Sequence, residues 1–400
     1  MTDASRGALD GVTVLDLSRI LAGPTCTQLL GDLGATVWKV ENPATGGDDT
    51  RAWGPPFVGD AEGRKTDLSA YYLCANRNKS SIALDLATPE GQRIAAALAA
   101  RADIVIENWK PGSLAKYGLD HATLCKRHPG LVYCSISGYG QTGPNRDKPG
   151  YDLMAQGYGG IMSLTGAPDG EPMKVGVGIA DVMCGMYATI GILAALRHRD
   201  RTGEGQHVDL ALVDSQMAWT INEGTNYLAS GKVPERRGNQ HPNIVPYGVF
   251  EAADGHAIVA VGNDGQFARF CDAFGLAGLE TDPDYATNPA RIANRGALLA
   301  RIAPVLAKVP AAEIVARLEA RKVPAGPIHD MAQVFASDQA QARGMVVEME
   351  SRHGPVRLIG NPLKFSRTPV RYAKAPPSCG EDSETILAEI AAETSGPAGC

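Results

Sequence analysis

Apolar and polar positions fall into alternating blocks through the first half of the chain. Val12 to Leu17 (VTVLDL) is an apolar run with β-branched residues, which predicts a strand. The helix-like TCTQLLGDLGA follows, and TVWKVE predicts a second strand. SSIALDL and DIVIENW predict two more, separated by PEGQRIAAALAARA at helical period. Pro89 stands in the first turn of that helix, where its missing N–H costs nothing. LVYCSIS is a fifth strand candidate. This alternation predicts an α/β fold with a Rossmann-like, mainly parallel sheet and helices on its faces.

Around Asp181 the pattern changes to a long helix rich in small residues, VMCGMYATIGILAALRHR. RTGEGQ ends it, and HVDLALVDSQ leads into a further helix. Past about Ala229, SGKVPERRGNQHPN is polar and rich in Gly, Pro and Asn, which predicts a linker and an exposed loop. YGVFEAADGHAIVAVG predicts a hairpin turning at Asp254-Gly255, with helices near Gln266 to Phe274 and Ala311 to Ala320. The expected organisation is a large α/β domain over 1–229, a small α+β domain over 230–330, and a return to the large one over 331–400. A chain of 400 residues is long enough for two cores.

Composition narrows the function. The net charge of -6 argues against a nucleic-acid partner, because neutralising phosphates needs concentrated Lys and Arg. The eight cysteines are scattered without CxxC spacing and suit the thiols of a reducing compartment, neither disulfides nor a zinc site. The polar start MTDASRGALDG lacks the apolar core of a signal peptide. The longest apolar run, Val182 to Leu196, falls short of the ~20 residues that span a bilayer, so a buried helix is expected. A soluble, cytoplasmic protein with no membrane partner follows as the expectation.

Several motifs carry possible chemistry. Gly138-Tyr139-Gly140-Gln141-Thr142-Gly143 fits the dinucleotide fingerprint, but Pro144 to Gly150 follows where a helix should open, so it reads as a glycine-rich loop. Asp181 sits between a glycine-spaced stretch and the long helix. It is either an N-cap or a nucleophile that the positive helix end keeps ionised. Lys39, Lys79, Lys110, Lys116, Arg146 and Lys148 lie at strand ends or in loops. They are either ordinary surface charges or, together, ligands for a pyrophosphate and a ribose phosphate. Asp152 and Tyr151 open another helix. Ser215 lacks a nucleophile elbow, and the histidines lack zinc-helix spacing and read as loop or surface residues.

At these residues the sequence resembles the class III CoA-transferases, the formyl-CoA transferase type. The similarity runs through LDGVTVLDLSRILAGPTCTQLLGDLGATVWKVE, NRNKSSIALDLATPEG, ADIVIENWKPGSLAKYGL, ISGYGQTGP with GYDLMAQGYGGIMSLTG, and GIADVMCGMYATIGILAALRHRDRTGEGQHVDLAL. The resemblance makes Asp181 the catalytic aspartate and implies transfer through an aspartyl anhydride and an aspartyl-CoA thioester. Backbone N–H groups near Asp181 and over Gly238 to Asn243 would then stabilise oxyanions. No metal or permanent cofactor is implied, only coenzyme A as a substrate moiety.

The CoA contacts implied are Leu21, Ala22, Asn42, Leu84, Asp85, Asn108, Trp109, Lys110, Lys116, Lys148 and Tyr151. Leu21, Asn42 and Lys116 stand where the formyl-CoA pattern carries glutamine, arginine and arginine. The glycine-rich active-site loop of that pattern is replaced here by RRGNQHPN. GNQHPNIVPYGVF and VGNDGQFARFC resemble the succinyl-CoA:glutarate branch instead, which implies succinyl-CoA as donor and a dicarboxylate acceptor. The loop Arg236, Arg237, Gly238, Asn239, Gln240 and His241 would meet the acceptor's distal carboxylate. The family fold implies an interlocked homodimer.

Three alternatives remain. An α-methylacyl-CoA racemase would need a histidine base at position 151, where this chain has Tyr151, a poor base near neutral pH. A non-catalytic acyl-CoA-binding subunit would have no use for Asp181. A nicotinamide enzyme lacks the helix after its glycines.

Overall fold

The computed structural model describes residues 7–394. Six strands make one sheet: β1 (Thr13–Asp16), β2 (Thr36–Glu41), β3 (Ser80–Ala83), β4 (Ile104–Glu107), β5 (Val132–Ser137) and β6 (His207–Ala211). Every neighbouring pair is parallel, in the order β3-β2-β1-β4-β5-β6. The winding therefore reverses between β1 and β4, and such a sheet opens a crevice beyond the carboxyl ends of those two strands. Five strands lie where the hydrophobic pattern predicts them. The sixth, β6, is an edge strand with mostly half-buried residues, so HVDLA lacks the apolar run that marked the others.

Both faces of the sheet are covered. Val14, Ile104, Ile106 and Val132 point to one side, packed on Cys26 and Leu30 of α1 (Ala22–Asp32). Their sequence neighbours Leu15, Val105 and Tyr133 point to the other, against Ile94 and Leu98 of α2 (Pro89–Arg101). Burial on both sides is why these strands read as unbroken apolar runs. The Thr88 side chain accepts from the Gly91 N–H to cap α2, with Pro89 opening the helix as expected.

Helix α3 (Asp152–Tyr158) and the 24-residue α4 (Ile179–Thr202) complete the first face with α5 (Leu212–Ala218). The small residues of α4 serve a close crossing: a Cβ on Gly185 would stand 2.6 Å from the Ala22 carbonyl oxygen of α1. By length and hydropathy α4 is able to cross a membrane, which its uninterrupted apolar run is too short to suggest. Half of that apolar window is buried, against α1, α3, α5, β5 and β6, so α4 is a core helix of this unit.

The chain divides into two compact units. The first runs to Ile161, resumes over Lys174–Gly231 and again from Asp338; the second comprises Met162–Met173 and Lys232–Ser337. The second has its own antiparallel sheet, β7 (Tyr247–Ala252), β8 (Gly255–Ala260) and β9 (Ala325–Pro327), in the order β9-β8-β7. Its separate core joins Phe267 and Phe270 of α6 (Asp264–Phe274), Leu298 and Ile302 of α7 (Arg295–Leu306), and Ile314 and Leu318 of α8 (Ala311–Glu319). Met162–Met173 lies with this unit although it interrupts the sequence of the first. Long-range bonds hold it there: the Gly238 N–H donates to the Gly166 oxygen and Arg236 Nη2 to the Gly170 oxygen. No local pattern announces such a segment.

Candidate active site

The crevice predicted by the strand order is occupied by loops that are tied to each other. The Arg19 N–H beyond β1 donates to Asn108 Oδ1 (2.9 Å) beyond β4, and Asn108 Nδ2 donates back to the Arg19 oxygen (2.6 Å). Trp109 Nε1 donates to the Leu17 oxygen (2.8 Å), and the Trp109 N–H donates to the buried Glu107 carboxylate (2.7 Å). Beyond β5 the chain leaves through Gly138 and returns through Gly150 in close contact. A Cβ on Gly150 would stand 2.2 Å from the Gly138 Cα, so neither position tolerates a side chain. The return brings Lys148 and Tyr151 to the same crevice.

A cavity of about 460 Å³ results. Ala22, Asn108, Trp109, Lys110, Lys148 and Tyr151 line it together with Asp181. Leu21 and Leu84 are buried and do not line it. Asn42 Oδ1 accepts from the Ala44 N–H, Asp85 Oδ1 from the Ala87 N–H, and the Lys116 ammonium lies 4.6 Å from the Tyr117 ring centre. Sequence reasoning missed Arg19, Ile20, Asp49, Trp53 and Leu212, which also line the cavity. Ile20 carries φ +73°, a strained conformation for a β-branched residue. Its N–H is held by the Asp48 carboxylate at 3.2 and 3.3 Å. Nothing in the local sequence signals that conformation.

Asp181 is the third residue of α4, within its first turn, so it is not the N-cap; that position is Gly178, which has no side chain to cap with. The capping oxygen comes from α3 instead. Asp152 Oδ1 accepts from the Ala180 N–H (2.8 Å) and from the Asp181 N–H (3.4 Å). Asp181 is only 9% exposed. Burial pushes it up to about 7, and the negative charge of Asp152 adds to the rise. The expectation that the helix end keeps Asp181 firmly ionised is therefore overturned: the donors that would do so are already bound to Asp152. Tyr71, whose ring meets Trp53 edge-on at 5.1 Å, is raised to about 12 by burial and then by the charge of Asp181, and stays a phenol.

The sequence model of CoA-transferase family III matches residues 9–383. The chain belongs to CoA-transferase family III. It is 49% identical over 383 residues to the succinate–glutarate CoA-transferase of Agrobacterium fabrum, covering 96% of this chain and 95% of that protein. It is 40% identical to the human succinyl-CoA:glutarate CoA-transferase, covering 96% and 86%. Among solved structures it resembles a CAIB/BAIF family protein from Brucella suis, with a TM-score of 0.85 and 47% identity over 96% of this chain and all of that one.

For a CoA-transferase, the fate of the basic residues matters, and two are removed from the phosphate-binding set. Lys39 and Lys79 are wholly buried. Lys39 Nζ bonds Asp48 Oδ2 at 2.9 Å and the Ser18 oxygen; Lys79 Nζ lies 3.3 Å from Asp16 Oδ2 and bonds the Pro24 oxygen. Lys110 and Lys148 remain on the wall of this cavity, and Arg146 lines a second one of about 410 Å³ that Lys110 also borders. Six of the backbone donors expected for oxyanions are also engaged. Ala180 and Asp181 donate to Asp152, Gly238 to Gly166, Gln240 to Arg237, His241 to Tyr247, and Asn243 to the His241 ring. In the second unit Arg236 is spent on the Ala167 and Gly170 oxygens, while Arg237 Nη1 donates to the Glu235 oxygen.

The histidines are less peripheral than expected. His207 begins β6, stacks on His121 at 3.9 Å and lies 3.0 Å from Ser135 Oγ. Among the described residues no group of three or more His, Cys, Asp or Glu is placed to hold a metal ion. Coenzyme A enters this family as a substrate moiety.

Proposed function

We propose that this transferase moves CoA from succinyl-CoA to a dicarboxylate such as glutarate, with Asp181 as the acyl-carrying nucleophile. One observation carries the reading: Asp181 is an almost buried carboxylate on the wall of a cavity built at the switch point of the sheet. The Asp181 carboxylate attacks the thioester carbonyl, forming a mixed anhydride and releasing CoA thiolate. Thiolate attacks the aspartyl carbonyl and frees succinate, leaving an aspartyl-CoA thioester. The acceptor carboxylate attacks that thioester, and the released thiolate takes the acceptor's acyl group from the second anhydride, restoring Asp181. Every bond formed is matched by one broken, so no external oxidant or acid equivalent is consumed. Shielding from water protects both anhydrides. The names of the relatives in Agrobacterium fabrum and human support the choice of acids.

Ala22, Asn108, Trp109, Lys110, Lys148 and Tyr151 are proposed as CoA contacts in the cavity, with Leu21, Asn42, Leu84, Asp85 and Lys116 as flanking ones. Arg237 and His241, in a loop that Arg236 stiffens, are proposed to read the acceptor's second carboxylate. A cytoplasmic homodimer is the proposed state, with the two compact units as its large and small domains. Large exposed apolar side chains on α3, α4 and just beyond α5 support the dimer: Leu153, Met154, Met186, Ile190, Trp219 and Ile221. A second copy is the occupant proposed for that face.

The decisive experiment mixes enzyme, succinyl-CoA and hydroxylamine without acceptor and maps the adduct by mass spectrometry. A hydroxamate at Asp181, together with loss of succinyl-CoA:glutarate exchange in Asp181→Asn, is expected. Near-wild-type exchange in that variant, or an adduct at another carboxylate, rejects the mechanism.

A further inference from the structure

The Asp181 side chain sits at a helix N-terminus, yet two of the N–H groups exposed there are bonded to a side chain on a different helix. The second and third N–H groups of α4, which a capping side chain ordinarily satisfies, are both taken by Asp152 Oδ1. Asp152 is itself anchored. Gln156 Nε2 donates to its other oxygen at 2.7 Å, and the fully buried Gln156 accepts from the Val175 N–H at 2.8 Å. Gly178, the residue before the helix, lies against this cap: a Cβ there would stand 3.7 Å from the Asp152 Cγ, an ordinary contact, and 3.1 Å from Leu21 Cδ2, a tight one.

We propose that Asp152 is a positioning residue for the transfer reaction, capping α4 from outside so that the Asp181 carboxylate is held without backbone donors and beside a like charge. The inference rests on Asp181 as nucleophile. A carboxylate held this way is poorly stabilised as an anion and correspondingly reactive. Forming the anhydride or the thioester removes its charge and relieves the repulsion from Asp152, so the covalent intermediates gain relative to free enzyme. The other groups facing Asp181 do not supply this effect. Tyr71 and Cys184, each raised to about 12 with burial as the largest cause, stay neutral. The cavity walls carry charges of both signs, Arg19, Lys110 and Lys148 against Asp49 and Asp147.

The test reads Asp181 directly. Enzyme labelled with 13C at aspartate Cγ is titrated by NMR, with the Asp181 resonance identified by its loss in Asp181→Asn. In the wild type the midpoint should lie near neutrality. In Asp152→Asn, which keeps an acceptor for the amides and removes the charge, it should fall by about one pH unit or more. The acidic limb of kcat/KM should move down with it while KM for succinyl-CoA stays put. Asp152→Glu, which keeps the charge, should restore most of the midpoint. An unmoved midpoint in folded Asp152→Asn overturns the proposal. So does a wild-type midpoint below about 5, close to an ordinary carboxyl, even if no Asp152 variant folds. The NMR midpoint does not depend on turnover. A hydroxamate mapped elsewhere would sink the nucleophile assignment while leaving this measurement readable.

Discussion

Asp16, Glu41 and Asp48, at and just beyond the ends of β1 and β2, are as buried as Asp181 at the start of α4, yet they end in the opposite electrostatic state. Burial alone would raise all four. Around Asp16 and Asp48 it is outweighed by Lys79 and Lys39, and Asp48 is drawn down to about 2. Glu41 is likewise lowered, because Arg51 grips it with two donors at 2.7 and 2.8 Å. Among the described residues Asp181 meets no cation that offsets its burial, only the like charge of Asp152, and it rises to about 7. The difference lies in the partners that the fold brings to each carboxylate. Asp16 and Asp48 tie strand ends to the strap Leu17–Leu21, which shapes the cavity, and Glu41 accepts from the Asp48 N–H and from Arg51. In the proposed mechanism, the unpaired carboxylate is the group that meets the substrate.

The two regions contribute to stability with opposite pH dependence. Asp16 and Asp48 have folded values below the unfolded 3.8. Their contribution is complete above that range and is lost as pH falls through the folded values, near 2 for Asp48. Asp181 has a raised folded value, so its contribution is present below 3.8 and is lost as pH rises through about 7.

The hardest test of the contrast is Lys39→Met. It strands Asp48 without its cation and should cost roughly 3–5 kcal/mol in urea unfolding at neutral pH, with activity falling as Ile20 is released. A cost below about 1 kcal/mol would mean that the pair does not hold the strap. Next in size, Asp181→Asn should be more stable than the wild type at pH 8 by roughly 2–4 kcal/mol, as the burden of a buried charge is removed. That gain should vanish near pH 4; equal effects at both pH values would show that Asp181 is not strained by ionisation. At the small end, Arg93→Ala removes the exposed pair with Glu90 on α2 and should leave the urea midpoint unchanged within error. A clear loss there would weaken the claim that burial decides which ion pairs matter.

Local chemistry legible in the sequence determined much of this protein. Apolar runs located five strands because both sheet faces are buried, and Pro89 marked a helix start because a first turn has no use for the N–H it lacks. The resemblance pointed to the family and to Asp181 because it follows residues in order along the chain. The tertiary structure decided the rest. Lys39 and Lys79 look like surface lysines until Asp48 and Asp16 are brought against them. Asp152 caps a helix that starts 27 residues later, since its partner Ala180 lies 28 positions away in sequence. The state of a carboxylate depends on which charges and N–H groups reach it through space, and sequence spacing does not encode that distance.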